Sequence, residues 1–118
     1  MEFEFDNERP IYMQLVQRIR IGIVSGELPP GSRLPSVREL AVRAKVNPNT
    51  VQRALGELEE DGLLFTERTN GKFVTLDETH IRCEKEKLAR ESLERLRREL
   101  KGIGMTDEEI RQFWEENR

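Results

Sequence analysis

Asn47, Asn49, Thr50, Gln52 and Arg53 fall within one run of seven residues, preceded by Arg38 and followed by Arg68, Thr69, Asn70 and Lys72. A side-chain amide carries a donor and an acceptor on one planar group. Asn49 and Gln52 can therefore pair bidentately with an adenine edge, each good pair discriminating by ~1–3 kcal/mol. Lys45 and Lys72 suit phosphate, where a cation adds salt dependence without specificity. A plainer use exists for several of these residues. Asn47 is a favoured helix N-cap and Thr50 a first-turn residue, while Arg38 and Arg53 are each, taken alone, as consistent with solvated surface charge. Their grouping favours contact: between Arg33 and Arg53, five basic residues (Arg33, Arg38, Arg43, Lys45, Arg53) stand against one acid, Glu39.

This local excess sits in a chain of 118 residues with a formal net charge of -3 and a pI of 5.4. Overall acidity runs against nucleic-acid binding, whose usual footprint is a strongly basic domain. Neither half compensates, since residues 1–76 hold 10 basic and 11 acidic residues and residues 77–118 hold 10 and 12. Only the local cluster supports a polyanionic partner. Hydrophobic and charged fractions of 36% each fit one domain, or a small domain with an appendage, under a heavily charged surface. The lone Cys83 cannot close an internal disulfide, MEFEFDNERP is neither a basic leader nor an apolar one, and no apolar run approaches the ~18 residues of a membrane span. The expectation is a cytoplasmic chain with no membrane partner.

The elements that must hold the polar run are legible by spacing. From Pro10 to Ser25, Ile11, Leu15, Ile19 and Ile23 recur every fourth residue beside Tyr12, Val16 and Val24, the stripe of an amphipathic helix. Pro10 suits its first position and Gly26 its stop, with Leu28 able to fold back before Pro29, Pro30 and Gly31. Ser36 to Glu39 spells a capping box opening a helix to about Arg43, with Val37, Leu40 and Ala41 on one face. Ala44, Lys45 and Val46 make the turn, Val46 plugging the core. Asn47 as N-cap and Pro48 as first residue open the next helix, which runs to about Asp61, with Val51, Ala54, Leu55 and Leu58 inward. Two strand-forming runs, 63–68 and 72–76, flank Thr69, Asn70 and Gly71, and Asn-Gly between such runs is a strong hairpin signal. Two helices and a hairpin with a polar tip have the order of a winged helix.

Beyond Asp77 to Thr79, the one plausible boundary, composition shifts to long charged residues around a sparse stripe. Ala89, Leu93, Leu96, Leu100 and Ile103 are spaced four and three apart on a predicted helix over 79–101, roughly 34 Å long. Thr106 to Glu109 forms a second capping box, Met105 is placed to staple against Ile110, and a last helix carries Phe113 and Trp114. Such a helical hairpin is too narrow in its apolar face to stand alone. An identical subunit is its simplest partner, so a homodimer is expected.

The string Gly26-Glu27-Leu28-Pro29-Pro30-Gly31-Ser32-Arg33-Leu34-Pro35-Ser36-Val37-Arg38-Glu39-Leu40-Ala41, continued by Val46-Asn47-Pro48-Asn49-Thr50-Val51-Gln52-Arg53-Ala54 and closed by Phe73-Val74, resembles the GntR family of bacterial transcription regulators. It resembles most closely the YtrA-like members, which join a winged helix to a short helical tail. The resemblance implies a repressor that binds an inverted-repeat operator as a dimer, with the second motif helix in the major groove and the wing at the minor groove. It also implies DNA contact by Arg38, by Asn47, Asn49, Thr50 and Gln52 with Arg53 close by, and by Arg68, Thr69, Asn70 and Lys72 at the wing. Thr69 departs from the pattern, because family wings often carry glycine there. Larger relatives sense metabolites in a long C-terminal domain, whereas about 40 residues after the wing cannot enclose a typical ~300 Å³ ligand pocket. The sequence leaves a small-molecule effector open and would put one at the dimer interface.

Catalysis has little support, with one histidine, no serine in a triad pattern and no glycine-rich phosphate loop, so no enzyme activity and no cofactor are expected. His80 and Cys83, three apart on a helix, would give four zinc ligands if a dimer brought two pairs together. A structural zinc site usually declares more ligands than that, and an exposed histidine beside a lone thiol is the plainer account. The expected architecture is mainly α with a small β-hairpin. A winged helix-turn-helix DNA-binding domain spans residues 1–76, and a short C-terminal helical hairpin for dimerisation spans 77–118. Ala89, Leu93, Leu96, Leu100, Ile103, Ile110, Phe113 and Trp114 would form the dimer interface. The competing function is a winged-helix protein-interaction module with a helical assembly tail and no operator.

Overall fold

Ile11 opens the first helix, α1 (Ile11–Ser25), with Pro10 at the N-cap and not at the first helical position its fixed φ suggested. The computed structural model describes residues 1–118. Gly26 ends α1 in the left-handed region at φ 88°, and the Leu28 amide donates to the Gly22 carbonyl, which closes the turn. Leu28 then lies so near the helix that a Cβ on Gly22 would stand 3.1 Å from its Cδ1. Leu15, Ile19 and Ile23 are fully buried, as their spacing predicts.

Gln14 is also buried, at 6% exposure, and nothing in the helical period foretells it. Its amide is satisfied by the chain that precedes the helix: Oε1 accepts from the Asp6 amide at 3.0 Å, and Nε2 donates to the Asp6 and Arg9 carbonyls at 3.0 and 2.9 Å. A buried amide with every partner in place costs little, whereas one without them would cost a full desolvation penalty.

The second helix, α2 (Val37–Ala44), carries the capping box in full, Ser36 accepting from the Glu39 amide and Glu39 from the Ser36 amide. Leu40, Ala41 and Ala44 are buried, while Val37 and Val46 are only half-buried, so Val46 edges the core where a plug was expected. Lys45 sits in the left-handed region at φ 57°, ψ 46°. A residue with a Cβ pays roughly 1–2 kcal/mol there. The helix α3 (Pro48–Glu60) follows, with Asn47 capping and Pro48 first. It packs on both α1 and α2 through Val51, Ala54, Leu55 and Leu58, all buried.

The hairpin is shorter than its strand-forming runs. β1 (Leu64–Glu67) pairs antiparallel with β2 (Gly71–Val74), Phe65 opposite Phe73 with rings stacked at 5.7 Å. The reversal runs through Arg68, Thr69 and Asn70, and Gly71 takes φ 96° at the start of β2. A third strip of backbone, unforeseen, completes the wing: Leu34 donates to Lys72, Val74 to Ser32 and Gly31 to Val74, each at 2.9 Å. The sheet thereby ties the loop before α2 to the wing.

The helix α4 (Glu78–Gly102) is continuous, and α5 (Asp107–Asn117) follows with Thr106 and Glu109 in the second capping box. The chain divides into two compact units, Met1–Glu84 and Lys85–Arg118, so the first turns of α4 belong to the first unit, where Ile81 is buried. Glu84 pairs with Arg20, which also reaches Asp61, both at 2.7 Å. No helix is long and apolar enough to cross a membrane.

Candidate nucleic-acid interface

Within the first unit, the basic side chains sort into two groups. Arg9 pairs with Asp6, Arg18 with Glu27, Arg20 with Asp61 and Glu84, and Lys72 with Glu59, while Arg43 approaches Glu39 at 4.0 Å. Arg33, Arg38, Lys45, Arg53 and Arg68 have no carboxylate partner, and the only other such residue in the unit is Arg82 near the start of α4. The five span the loop before α2, α2 itself, the helix-turn-helix turn, α3 and the wing tip. All are exposed. Unneutralised cations gathered on one motif make an anion-binding surface on a chain whose total charge is negative.

The polar residues among them differ in how free they are. Asn49, Gln52, Arg38, Arg68 and Thr69 are exposed and their side chains make no hydrogen bond within the protein, which leaves them available to a ligand. Thr50 is half-buried. Asn47 uses its Oδ1 to accept from the Asn49 amide at 2.7 Å, and Asn70 donates to Glu67 at 3.3 Å. Arg53 lies over the ring of Tyr12, 3.6 Å from its centroid.

Lys72 is the most committed of the set. Its Nζ stands 2.8 Å from both Glu59 Oε2 and Thr66 Oγ1, and Thr66 donates to the other Glu59 oxygen at 2.6 Å. This triad bolts β1 and β2 to the end of α3. The Lys72 hydrogen bond, then that of Thr66, holds the Glu59 carboxyl below its ordinary range. A carboxyl depressed in the folded state adds stability above its unfolded value of about 4.3, and that stability is lost as pH falls through the lower folded value. Lys72→Met is accordingly expected to cost about 0.5 kcal/mol at neutral pH, the scale of a partly exposed pair. Thermal melts should show the gap from the unaltered protein closing as pH is taken below the carboxylate range. A gap independent of pH would mean that Lys72 stabilises by packing alone.

Two further residues belong to this surface. Arg33, counted in the charge cluster but given no role by spacing, reaches the wing: a Cβ on Gly71 would stand 3.4 Å from its Nε. Together with Ser36, Val37, Leu55, Thr66 and Lys72 it lines a groove of about 240 Å³ between the start of α2 and the wing. Tyr12 is the other. Its place in an apolar stripe hides any part in the interface, and only the tertiary contact with Arg53 reveals it.

The second unit, Lys85–Arg118, carries the apolar residues of the tail. Ala89, Leu93, Leu96, Ile103, Phe113 and Trp114 are exposed, Leu100 and Ile110 half-buried. Leu93, Leu96, Ile110 and Trp114 line an open groove of about 320 Å³ between α4 and α5. The hairpin is closed by Asp107, which Arg97 and Lys101 approach at 3.0 and 3.1 Å, and those two cations hold its carboxyl below the ordinary range, Arg97 most. His80 is not the exposed histidine expected, because its Nε2 lies 2.7 Å from the Asp61 carbonyl at the end of α3. Cys83 is exposed, and no three His, Cys, Asp or Glu side chains gather as a metal-ligand set.

Comparison with known proteins agrees with this geometry. Residues 11–74 match the model of the bacterial regulatory proteins of the gntR family. An HTH-type transcriptional regulator of Bacillus subtilis, YhcF, is 42% identical over 110 residues, 93% of this chain and 91% of its own. The B. subtilis transcriptional repressor YtrA is 44% identical over 66 residues, which span about half of each (56% and 51%). Among solved structures, a GntR family transcriptional regulator from Listeria monocytogenes superposes with a TM-score of 0.87 at 38% identity, covering 97% of this chain and all of that one. The AraR DNA-binding domain in complex with its operator ORX1 superposes at 0.58 with 28% identity, over 64% of this chain and 99% of that one. A winged helix-turn-helix with free cations and carboxamides on its motif, in a chain that matches the family over its whole DNA-binding motif, is a DNA-binding transcriptional regulator, and the chain belongs to the GntR family of bacterial regulatory proteins.

Proposed function

We propose that this regulator is a cytoplasmic, sequence-specific repressor that binds an inverted-repeat operator as a homodimer. Residues 1–76 carry the DNA contacts and residues 77–118 the dimer contacts. The observation that carries the reading is the segregation of charge. Cations elsewhere in the first unit are mostly neutralised by carboxylates, and those around the free carboxamides of α3 are not. Asn49 and Gln52 read bases from the opening turns of α3, where helix-turn-helix proteins place their base contacts. Arg38, Lys45, Arg68 and Arg33 bind phosphate, and Asn47 supports the turn that presents Asn49. Thr50, Thr69 and Asn70 border the contact, and Lys72 acts through the wing it anchors. Repression is supported by likeness to YtrA, and operator binding by likeness to the AraR domain.

Protection mapping on fragments of the source genome tests this directly. A footprint with twofold symmetry is expected, and no protected site on any fragment would sink the reading. Gln52→Ala or Asn49→Ala should relax preference at one position in each half-site, by ~1–3 kcal/mol of lost discrimination. A uniform loss across all sequences would move those residues from base to backbone.

A further inference from the structure

We infer that Tyr12 is a positioning residue for operator binding: its ring holds the Arg53 guanidinium so that Arg53 grips a backbone phosphate and does not read a base. The inference rests on the DNA-binding reading above. Tyr12 lies in the first turn of α1, Arg53 lies in the second turn of α3, and the two helices pack together. The guanidinium carbon stands 3.6 Å from the ring centroid, while Arg53 remains exposed and has no carboxylate partner. An acid would have ordered this side chain equally well and cancelled its charge, as Glu59 does for Lys72 and Asp61 with Glu84 does for Arg20. An aromatic face orders a cation and leaves the charge intact. Stacking uses the flat face of the guanidinium and leaves its N–H groups at the edge, in the planar fork that matches phosphate oxygens. Base readers in this motif stand at the N-terminal end of the recognition helix, where Asn49 is. Arg53 is one turn further on, past both Asn49 and Gln52, and its guanidinium is held against Tyr12 of α1. None of Arg33, Arg38, Lys45 and Arg68 has such a support.

The test measures affinity of the full chain for the operator found by protection mapping, and for copies altered at single base pairs, across a range of salt. Tyr12→Phe keeps the ring and should bind as the unaltered protein does. Tyr12→Leu should lose about three-fold per half-site, the scale of an exposed cation–π contact. Arg53→Ala should weaken all sequences alike and reduce the salt slope by about one per half-site. Adding Tyr12→Leu to Arg53→Ala should change nothing more. An equal loss from Tyr12→Leu in the Arg53→Ala background, a loss on Tyr12→Phe, or an effect of Arg53→Ala confined to one base pair would each overturn the inference. If Tyr12→Leu melts far below the unaltered protein, Arg53→Lys decides instead, since lysine keeps the charge without the planar stack. It should keep the salt slope and lose about three-fold in affinity, and undiminished affinity would overturn the inference. If the unaltered protein binds no operator, the DNA-binding reading fails and this one with it.

Discussion

Operator affinity is expected to fall by roughly 10³–10⁵ between about 50 and about 200 mM salt, the loss that attends six to ten phosphate contacts. Arg33, Arg38, Lys45, Arg53 and Arg68 are the cations available in each subunit, so a dimer on two half-sites would bring up to ten. Each phosphate neutralised releases counterions and adds about 0.9 to the slope of log affinity against log salt. Arg9, Arg18, Arg20 and Lys72 are already paired with carboxylates and would add little. A slope shallower than about -3 would mean that most of the five do not reach phosphate. The net charge of -3 adds a second expectation. At about 0.1 M salt, charges more than ~10 Å apart are largely screened, whereas at about 0.01 M the reach grows to ~30 Å. Acids outside the motif would then oppose the DNA, and the log–log line should flatten at its low-salt end. Titration of a labelled operator duplex by anisotropy measures both features.

Leu96→Asp is expected to convert the proposed dimer to monomers and to weaken operator binding by about 10²–10⁴, the gain that linking two binding modules ordinarily gives. In the tail unit Leu93, Leu96, Ile103, Phe113 and Trp114 are 66%, 42%, 75%, 52% and 63% exposed, a large apolar surface for a piece of chain this short. Exposed apolar surface of that kind is what the proposed dimer would cover. Leu96 lines the groove with Leu93, Ile110 and Trp114, and an ionised carboxylate in a closed apolar seam carries a desolvation penalty of several kcal/mol. Leu96 is 42% exposed within its own chain, so the substitution removes only part of its packing and leaves the second capping box and the Asp107 ion pairs of the hairpin in place. The helical signal in circular dichroism should therefore persist while the sedimenting mass halves. An unchanged mass would place the seam on another face.

The local features of this protein were legible in its residues. Ser36 with Glu39, Asn47 with Pro48, Thr106 with Glu109, and Gly26 followed by Leu28 each act within a few positions, and each ends or begins a helix where its chemistry predicts. Burial followed the periodicity in α1 and α3, as in Leu15, Ile19 and Ile23, whereas the stripe of α4 stays mostly exposed within the chain. The strands were placed less well. Strand-forming residues extend past Glu67 and Val74, but the β1–β2 register runs only from Leu64 opposite Val74 to Glu67 opposite Gly71, and β2 alone gains a further partner in the Ser32–Leu34 strip.

The sequence by itself determined the element order, the caps, the buried stripe of α1 and α3, and the polar opening of α3 that marks a nucleic-acid reader. Only the tertiary structure decided which cations are free. Arg20 reaches Glu84 across 64 positions and Lys72 reaches Glu59 across 13, and no period or motif connects such residues before the chain folds. The same reason hid the burial of Gln14, satisfied by the segment before its helix, and the ring of Tyr12 beneath Arg53. Spacing along the chain fixes what a residue can do within one helix. Its partner across two helices is fixed by how those helices pack, and here that partner separates a neutralised cation from one left to hold phosphate.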